Sequence, residues 1–163
     1  MSLPAIEIRA ERADHPQVRA LLAELDAYLA SLYAPEDNHI LGVEALLAPD
    51  VCFLSAWRDE ALLGCGAFRR MPGEPATAGE PYVEIKRMVV TPAARGQGIG
   101  ARLLAQLEHV AAGDGIALAL LETGRDQHEA VRLYERLGYR PCGPFAGYPD
   151  NGLSVFYAKR LPR

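Results

Sequence analysis

The sequence predicts an α/β domain, a mixed β-sheet flanked by helices. Three observations carry that prediction. Apolar residues recur at helical spacing in some segments and alternate, or run continuously, in others. The two kinds follow one another in the order β-α-α-β-β-β-α-β-α-β-β, which a layered α/β arrangement accommodates. The chain has 163 residues and no repeat, low-complexity tract or linker, so residues 1–163 read as a single domain with one core.

The elements follow in order. "AIEIRA" alternates and forms an opening strand. From His15 to Tyr33, Val18, Leu21, Leu22, Leu25, Leu29 and Leu32 hold helical spacing, with Asp14 as the N-cap and Pro16 in the first turn. "APEDNH" breaks this helix, and a short one covers Val43 to Leu47 before Pro49. "VCFLSAW" and "ALLGCGAFRR" make a hairpin that turns at Arg58 to Glu60. "MPGEPATAGEP" is a polar Pro/Gly loop, long enough to be mobile. "YVEIKRMVV" is a strand, and a helix runs from about Gly98 to Ala112. "IALALLE" is a buried strand by its near-continuous apolar run. "DQHEAVRLYERLG" is a helix with Gly138 at its C′ position. "YRPCGPF" and "LSVFYAKRL" are the last strands, joined by the turn-rich "AGYPDNG".

Composition excludes several classes of function. A net charge of −4 offers no basic surface for nucleic acid. Cys52, Cys65 and Cys142 are odd in number and form no CxxC pair, so they read as reduced core thiols and not as a disulfide frame or zinc site. His15, His39, His109 and His128 show no ligand spacing, and no metal is expected; His109 and His128 read as helix-surface residues. The N-terminal stretch lacks the apolar core of a signal peptide, and no apolar run reaches membrane-spanning length. A cytoplasmic protein without membrane contact is expected.

The chemistry-bearing stretch is "TPAARGQGIGARLLAQLEHV". Gly96, Gly98 and Gly100 interleave with Gln97 and Ile99 behind Arg95, between a strand and a helix. A helix N-terminus presents unpaired amides and a partial positive charge, and glycines let its backbone approach phosphate oxygens. The plain alternative is a helix start whose glycines relieve packing. A Walker A loop is excluded, since no Lys-Ser or Lys-Thr follows. A dinucleotide fingerprint needs GxGxxG, and here the third glycine comes one residue early. Glu122 mimics the ribose-binding acid of that fold, but the preceding strand carries Glu84, Lys86 and Arg87 where a doubly covered strand should be apolar.

"RGQGIG" resembles the R/Q-x-x-G-x-G/A pyrophosphate loop of the GCN5-related N-acetyltransferase (GNAT) family. "AVRLYERLGYRPCG" is similar to that family's closing helix and strand, and the element order looks like its fold. The strong match spans about Tyr82 to Gly143; the first half agrees in pattern. The resemblance implies one GNAT-like domain that uses acetyl-CoA. Backbone amides from Arg95, Gly96, Gln97, Gly98, Ile99 and Gly100 would cradle the pyrophosphate. The Met88, Val89 and Val90 segment would pair its backbone with the pantetheine arm as an added strand edge. Where the family usually has Asn, seven residues before the tyrosine of "RLYERLG", this chain has Gln127.

Acetyl transfer requires a neutral amine and a proton for the departing thiolate. The resemblance points to Glu84 as base and Tyr134 as acid, with Glu122 as a second candidate base. Left to its own strand, Glu84 is instead a carboxylate paired with Lys86 or Arg87, and Tyr134 a core residue. No GxSxG elbow or Cys/His constellation is present, so direct attack without an acyl-enzyme is expected. In the family the acceptor side is lined by the segment between the first two helices and the loop before the last strand. Tyr33, Glu36, Asp37, His39, Tyr148 and Asp150 stand there and suit a small cationic or aromatic amine, within the class of small-molecule or peptide amines, although polar turns hold such residues anyway. A non-catalytic acyl-CoA-binding module of the same fold is the alternative. The resemblance admits a homodimer, and nothing in the sequence decides it.

Overall fold

The computed structural model describes residues 4–162. Its elements are β1 (Glu7–Ala10), α1 (Pro16–Leu32), α2 (Val43–Leu46), β2 (Val51–Arg58), β3 (Ala61–Met71), β4 (Tyr82–Val90), α3 (Ile99–Gly113), β5 (Leu118–Gly124), α4 (His128–Arg136), β6 (Arg140–Pro141) and β7 (Ser154–Arg160). Short 3-10 turns stand at Pro35–Asp37, Pro75–Thr77 and Pro92–Ala94. This is the order expected from the sequence. The seven strands form a sheet ordered β1-β2-β3-β4-β5-β7-β6. It is mixed: β4 and β5 run parallel, while β1/β2, β5/β7 and β6/β7 are antiparallel.

Contacts group the chain into two compact units, Met1–Phe68 with Lys86–Leu107, and Arg69–Ile85 with Glu108–Arg163. Strands β3 and β4 each contribute residues to both.

In the first unit, Ala13, Val18, Leu21, Leu22, Leu46, Phe53, Cys65 and Ala67 form the core. Burying each large aliphatic side chain is worth about 1.5–3 kcal/mol. The apolar stripe of α1 is used mainly in its first half; Leu32, at the far end, is 38% exposed. The cap of α1 differs from expectation. His15 is the N-cap, its Nδ1 accepting from the Gln17 amide at 3.2 Å. Asp14 does not cap, because the Arg12 guanidinium engages both its oxygens at 3.0 and 2.9 Å.

Strands β3 and β4 approach closely within this unit. A Cβ on Gly64 would lie 2.7 Å from the Val89 carbonyl oxygen, and one on Gly66 would lie 2.3 Å from the Met88 sulfur. The glycines of "LLGCGAF" are therefore packing requirements that bring the β3 backbone against Met88 to Val90. Between them Cys65 is fully buried, which pushes its thiol up to about 12. The expectation of core thiols holds for Cys65 but not for Cys142, which is exposed. His109 and His128 are exposed on their helices, as expected.

In the second unit, Tyr82, Leu118, Leu120, Phe145 and Phe156 cluster on one face of the sheet. On α3 and β7, Glu108 accepts from Tyr139 Oη at 2.9 Å and from Lys159 Nζ at 2.8 Å. Gly138 ends α4 with φ +96°, the left-handed C′ conformation foreseen for it. The β3–β4 loop, expected to be mobile, is instead tied down. Thr77 Oγ1 donates to the Glu80 carbonyl at 2.8 Å, and Glu74 accepts from Tyr82 Oη and from the Ala146 amide at 3.0 Å. The Ala146 partner lies 72 residues from Glu74, too far along the chain for composition to reveal it.

The two β3 glycines differ in a testable way. Gly64→Ala meets rigid backbone and should destabilise the protein by about 1–3 kcal/mol, whereas Gly66→Ala meets a flexible methionine and should cost less. Urea denaturation of the two variants beside the parent chain checks the order.

Candidate active site

The loop between β4 and α3 begins where the Thr91 amide donates to the Leu63 carbonyl at 2.8 Å, after which Pro92–Ala94 make one 3-10 turn. Gly96 and Gly98 then take φ +80° and +75°, a region that residues with a Cβ rarely adopt. Nothing lies within 4 Å of where a Cβ on either would sit. Their conformation, not crowding, demands glycine, and open space remains over the loop. The helical ladder opens with the Arg102 amide donating to Gly98 O at 3.1 Å, so the amides of Ile99, Gly100 and Ala101 precede it. They carry the positive end of a 15-residue helix anchored by buried Ile99, Leu103, Leu104 and Leu107. Arg95, Gly96, Gln97 and Gly98 are exposed, while Ile99 and Gly100 are buried. Gln97 Oε1 accepts from Arg58 Nη2 at 2.9 Å, which secures the loop to the end of β2.

The segment before the loop has its own constraint. Arg87, inside β4, takes φ +58°. Its guanidinium is buried, with Nη1 donating to Asp26 Oδ1 at 2.6 Å and Nη2 to the Leu22 carbonyl at 3.4 Å, both on α1. A left-handed residue interrupts strand alternation much as a bulge does, and re-aims the residues beyond it. Here those are Met88, which lies over Gly66, and Val89, which packs against the first unit's core.

In the second unit Glu84 is fully buried. Its strand pairs in parallel with β5, Glu84 opposite Leu120. Tyr148 Oη–H donates to Glu84 Oε2 at 2.5 Å, and Arg69 Nη2 stands 3.7 Å from Oε1. The alternative of a surface carboxylate paired with Lys86 or Arg87 is thus overturned: Glu84 is not exposed, and Arg87 is engaged by Asp26. Burial first, then the charge of Glu84 and its hydrogen bond, raise the Tyr148 hydroxyl well above the usual phenol range. The Tyr148 ring packs on Phe145 and Phe156, at centroid distances of 5.5 and 6.2 Å. Two predicted site residues, Glu84 and Tyr148, are therefore brought together. Glu122, two residues along β5 from Leu120, is half-buried, and its Oε2 accepts from Ser154 Oγ at 2.5 Å.

Tyr134 is buried on α4, its ring 5.8 Å from that of Tyr139. No hydrogen-bond partner for its hydroxyl stands among the described residues, and burial alone raises its pKa. Gln127 is the N-cap residue of α4 but makes no side-chain capping bond. In the first unit Tyr33 is the C-cap of α1 and His39 is half-buried in the α1–α2 connection. Sequence reasoning missed Arg69, Glu74, Ser154 and Arg58, each of which holds a predicted residue or the loop carrying one. Only Arg69 left a signal, a cation next to Phe68 where β3 had been apolar.

A glycine loop that leaves helix amides outside the ladder, set at the end of a strand in a mixed sheet of this order, is the architecture of an acyl-CoA-using α/β transferase. A family model for the acetyltransferase (GNAT) family matches residues 16–139, reaching into the half of the chain where the sequence agreed only in pattern. The chain belongs to that family and is an acetyl-CoA-dependent N-acetyltransferase. It is 41% identical over 159 residues to the IAA acetyltransferase of Azospirillum brasilense, covering 98% of this chain and 100% of that protein. The crystal structure of a Klebsiella pneumoniae protein described as an acyl-CoA N-acyltransferase superposes with a TM-score of 0.77 at 33% identity, covering 96% and 97% of the two chains. PaiA N-acetyltransferase from Thermoplasma acidophilum, solved in complex with coenzyme A, shares the fold with a TM-score of 0.69 at 18% identity, covering 96% and 99%. Among the described residues no helix is long and apolar enough to cross a membrane, and no group of side chains could hold a metal ion.

The buried tyrosines set an alkaline limit. Tyr82, Tyr134, Tyr139 and Tyr148 all have folded pKa values raised first by burial. Their contribution is complete below the unfolded value of about 10 and declines as pH rises beyond it toward the folded values. The melting temperature should accordingly fall increasingly steeply as pH rises above about 10, and less steeply in Tyr134→Phe. Thermal scans across that range test it.

Proposed function

We propose that this chain moves the acetyl group of acetyl-CoA directly onto a primary amine of a small molecule or peptide, without an acyl-enzyme. The observation that carries the reading is the buried carboxylate of Glu84, hydrogen-bonded at 2.5 Å and placed four residues before Met88 on the strand leading to the glycine loop. The loop fits the cofactor's pyrophosphate: Gly96 and Gly98 hold left-handed conformations under open space, ahead of amides outside the helical ladder. Arg95, Gly96, Gln97, Gly98, Ile99 and Gly100 would hold the pyrophosphate, and the Met88 to Val90 backbone the pantetheine arm. Gln127, with no capping bond of its own, has its amide to offer there as well. Bound acetyl-CoA supplies the activated acetyl thioester.

The chain's own work is proton management. Glu84 accepts the proton that an ammonium must lose before its nitrogen can attack, and Glu122 is the second carboxylate able to do so. Tyr134 keeps its proton because burial raises its pKa, and so holds it ready for the departing sulfur. The Cys65 thiol, raised to about 12, stays protonated and is a poor nucleophile, in keeping with direct attack. We assign Tyr33, His39 and Tyr148 to acceptor recognition, through aromatic faces and polar tips. A cytoplasmic location, where acetyl-CoA is made and thiols stay reduced, goes with this reading.

Glu84→Gln should lower kcat by about 100-fold while leaving the affinity for acetyl-CoA nearly unchanged, and Tyr134→Phe should act on kcat in the same way. Gly98→Val should abolish acetyl-CoA binding in calorimetric titration, since valine resists a positive φ. Unchanged kcat in both acid–base variants would overturn the roles given to them.

A further inference from the structure

Glu84 is fully buried, so an ammonium entering from solvent does not reach its carboxylate in the structure as it stands. Glu84 Oε2 accepts from the hydroxyl of Tyr148, and Tyr148 itself is half-buried. We propose that Tyr148 is a further catalytic residue, a relay that takes the acceptor's proton on its Oη while passing its own to Glu84 Oε2. This rests on the reading of Glu84 as the base.

The step balances without any co-reactant. One ammonium N–H bond breaks and a Tyr148 O–H bond forms, while the original Tyr148 O–H bond breaks and a Glu84 O–H bond forms. The amine becomes neutral, Glu84 becomes a carboxylic acid, and Tyr148 ends as the phenol it was. The groups acting on Tyr148 suit it to this exchange. Burial and the nearby charges of Glu84 and Glu122 outweigh that of Arg69, which keeps the phenol protonated and able only to swap protons. Arg69, 3.7 Å from the other Glu84 oxygen, keeps an ionised partner beside the carboxylate that must receive the proton.

The surroundings hold the hydroxyl in place. Tyr148 sits on a turn whose Ala146 and Gly147 have φ +53° and +74°. The Ala146 amide donates to both Glu74 oxygens, at 3.2 and 3.0 Å, and Tyr82 Oη donates to the same carboxylate. The Phe145 ring, 2% exposed, packs edge-on against both Tyr82 and Tyr148. A tyrosine meant only to offer an aromatic face to an acceptor would need none of this alignment of its hydroxyl.

Release of CoA from acetyl-CoA should be followed with two acceptors, phenethylamine, which arrives charged, and hydroxylamine, which is mostly uncharged at neutral pH and needs no base before attack. The chains compared are the parent, Glu84→Gln, Tyr148→Phe and the double variant. The relay predicts a loss of about 100-fold in kcat/KM for phenethylamine in each single variant, a loss under about tenfold for hydroxylamine, and a double variant no worse than either single one. Tyr148→Phe within about twofold of the parent on phenethylamine, with Glu84→Gln impaired, would overturn the relay and leave Glu84 as the base. Equal losses on both acceptors would also overturn it, because they mark a structural defect. Full activity in Glu84→Gln, or no CoA release by the parent chain, would overturn the underlying reading instead. A proton inventory on the parent chain in mixed light and heavy water supplies a measurement independent of variant folding: curvature from two protons in flight supports the relay, and a linear plot refutes it.

Discussion

Arg87 holds a conformation that its residue type resists, and the course of β4 beyond it depends on that. A left-handed backbone costs a residue with a Cβ roughly 1–2 kcal/mol, and a strand interior offers nothing local to offset that. The offset comes from the side chain. Its guanidinium is buried against α1, with a charged bond to Asp26 at 2.6 Å and a second contact to the Leu22 carbonyl. Met88 to Val90 follow directly, and the β3 backbone closes on them because Gly64 and Gly66 carry no side chain. The end of β4 is thus fixed from both sides, by an ion pair to a helix and by two glycines on a neighbouring strand.

The second unit meets a different constraint, that of keeping a carboxylate out of water. An ionised acid in the interior is tolerated only when opposite charge and hydrogen-bond donors are placed around it. Glu84 receives both from elsewhere in the chain, Arg69 at the end of β3 and Tyr148 in the β6–β7 connection. Glu74 repeats the arrangement nearby, with Tyr82 and the Ala146 amide as its donors. The two carboxylates bracket one turn, and Phe145 packs between their tyrosines. The two oxygens of Glu84 are met differently, Oε2 by the Tyr148 hydroxyl and Oε1 by the Arg69 charge at 3.7 Å.

The loop before α3 is built on glycine dihedrals, Gly96 and Gly98 at φ +80° and +75°, and its Gln97 side chain bonds to Arg58. The carboxylates of the second unit are instead held by side-chain partners, Glu84 by Tyr148 and Glu122 by Ser154. On the reading proposed above, recognition of the cofactor falls to the backbone and proton transfer to the side chains.

Several features could be read from the residues alone because they are local. Apolar spacing and turn signals foretold the order of the helices and strands among the described residues, although β6 is only Arg140–Pro141 where "YRPCGPF" reads as a strand. The left-handed conformation of Gly138 was legible because the C′ position of a helix calls for it, while the glycines before α3 marked only a backbone free of Cβ atoms. What the sequence could not reveal was set by partners far along the chain. His15 caps α1 because Arg12 has already taken Asp14. The β3–β4 loop is pinned because Glu74 finds Ala146, 72 residues away. By its own strand Glu84 could be a candidate base or an exposed carboxylate paired with Lys86 or Arg87; folding buried it and gave it Tyr148, 64 residues on. Dihedral preference and periodicity belong to a residue and its neighbours, so the sequence by itself determined the elements and the loop. The environment of an ionisable group belongs to whatever packs around it, and that only the tertiary structure decided.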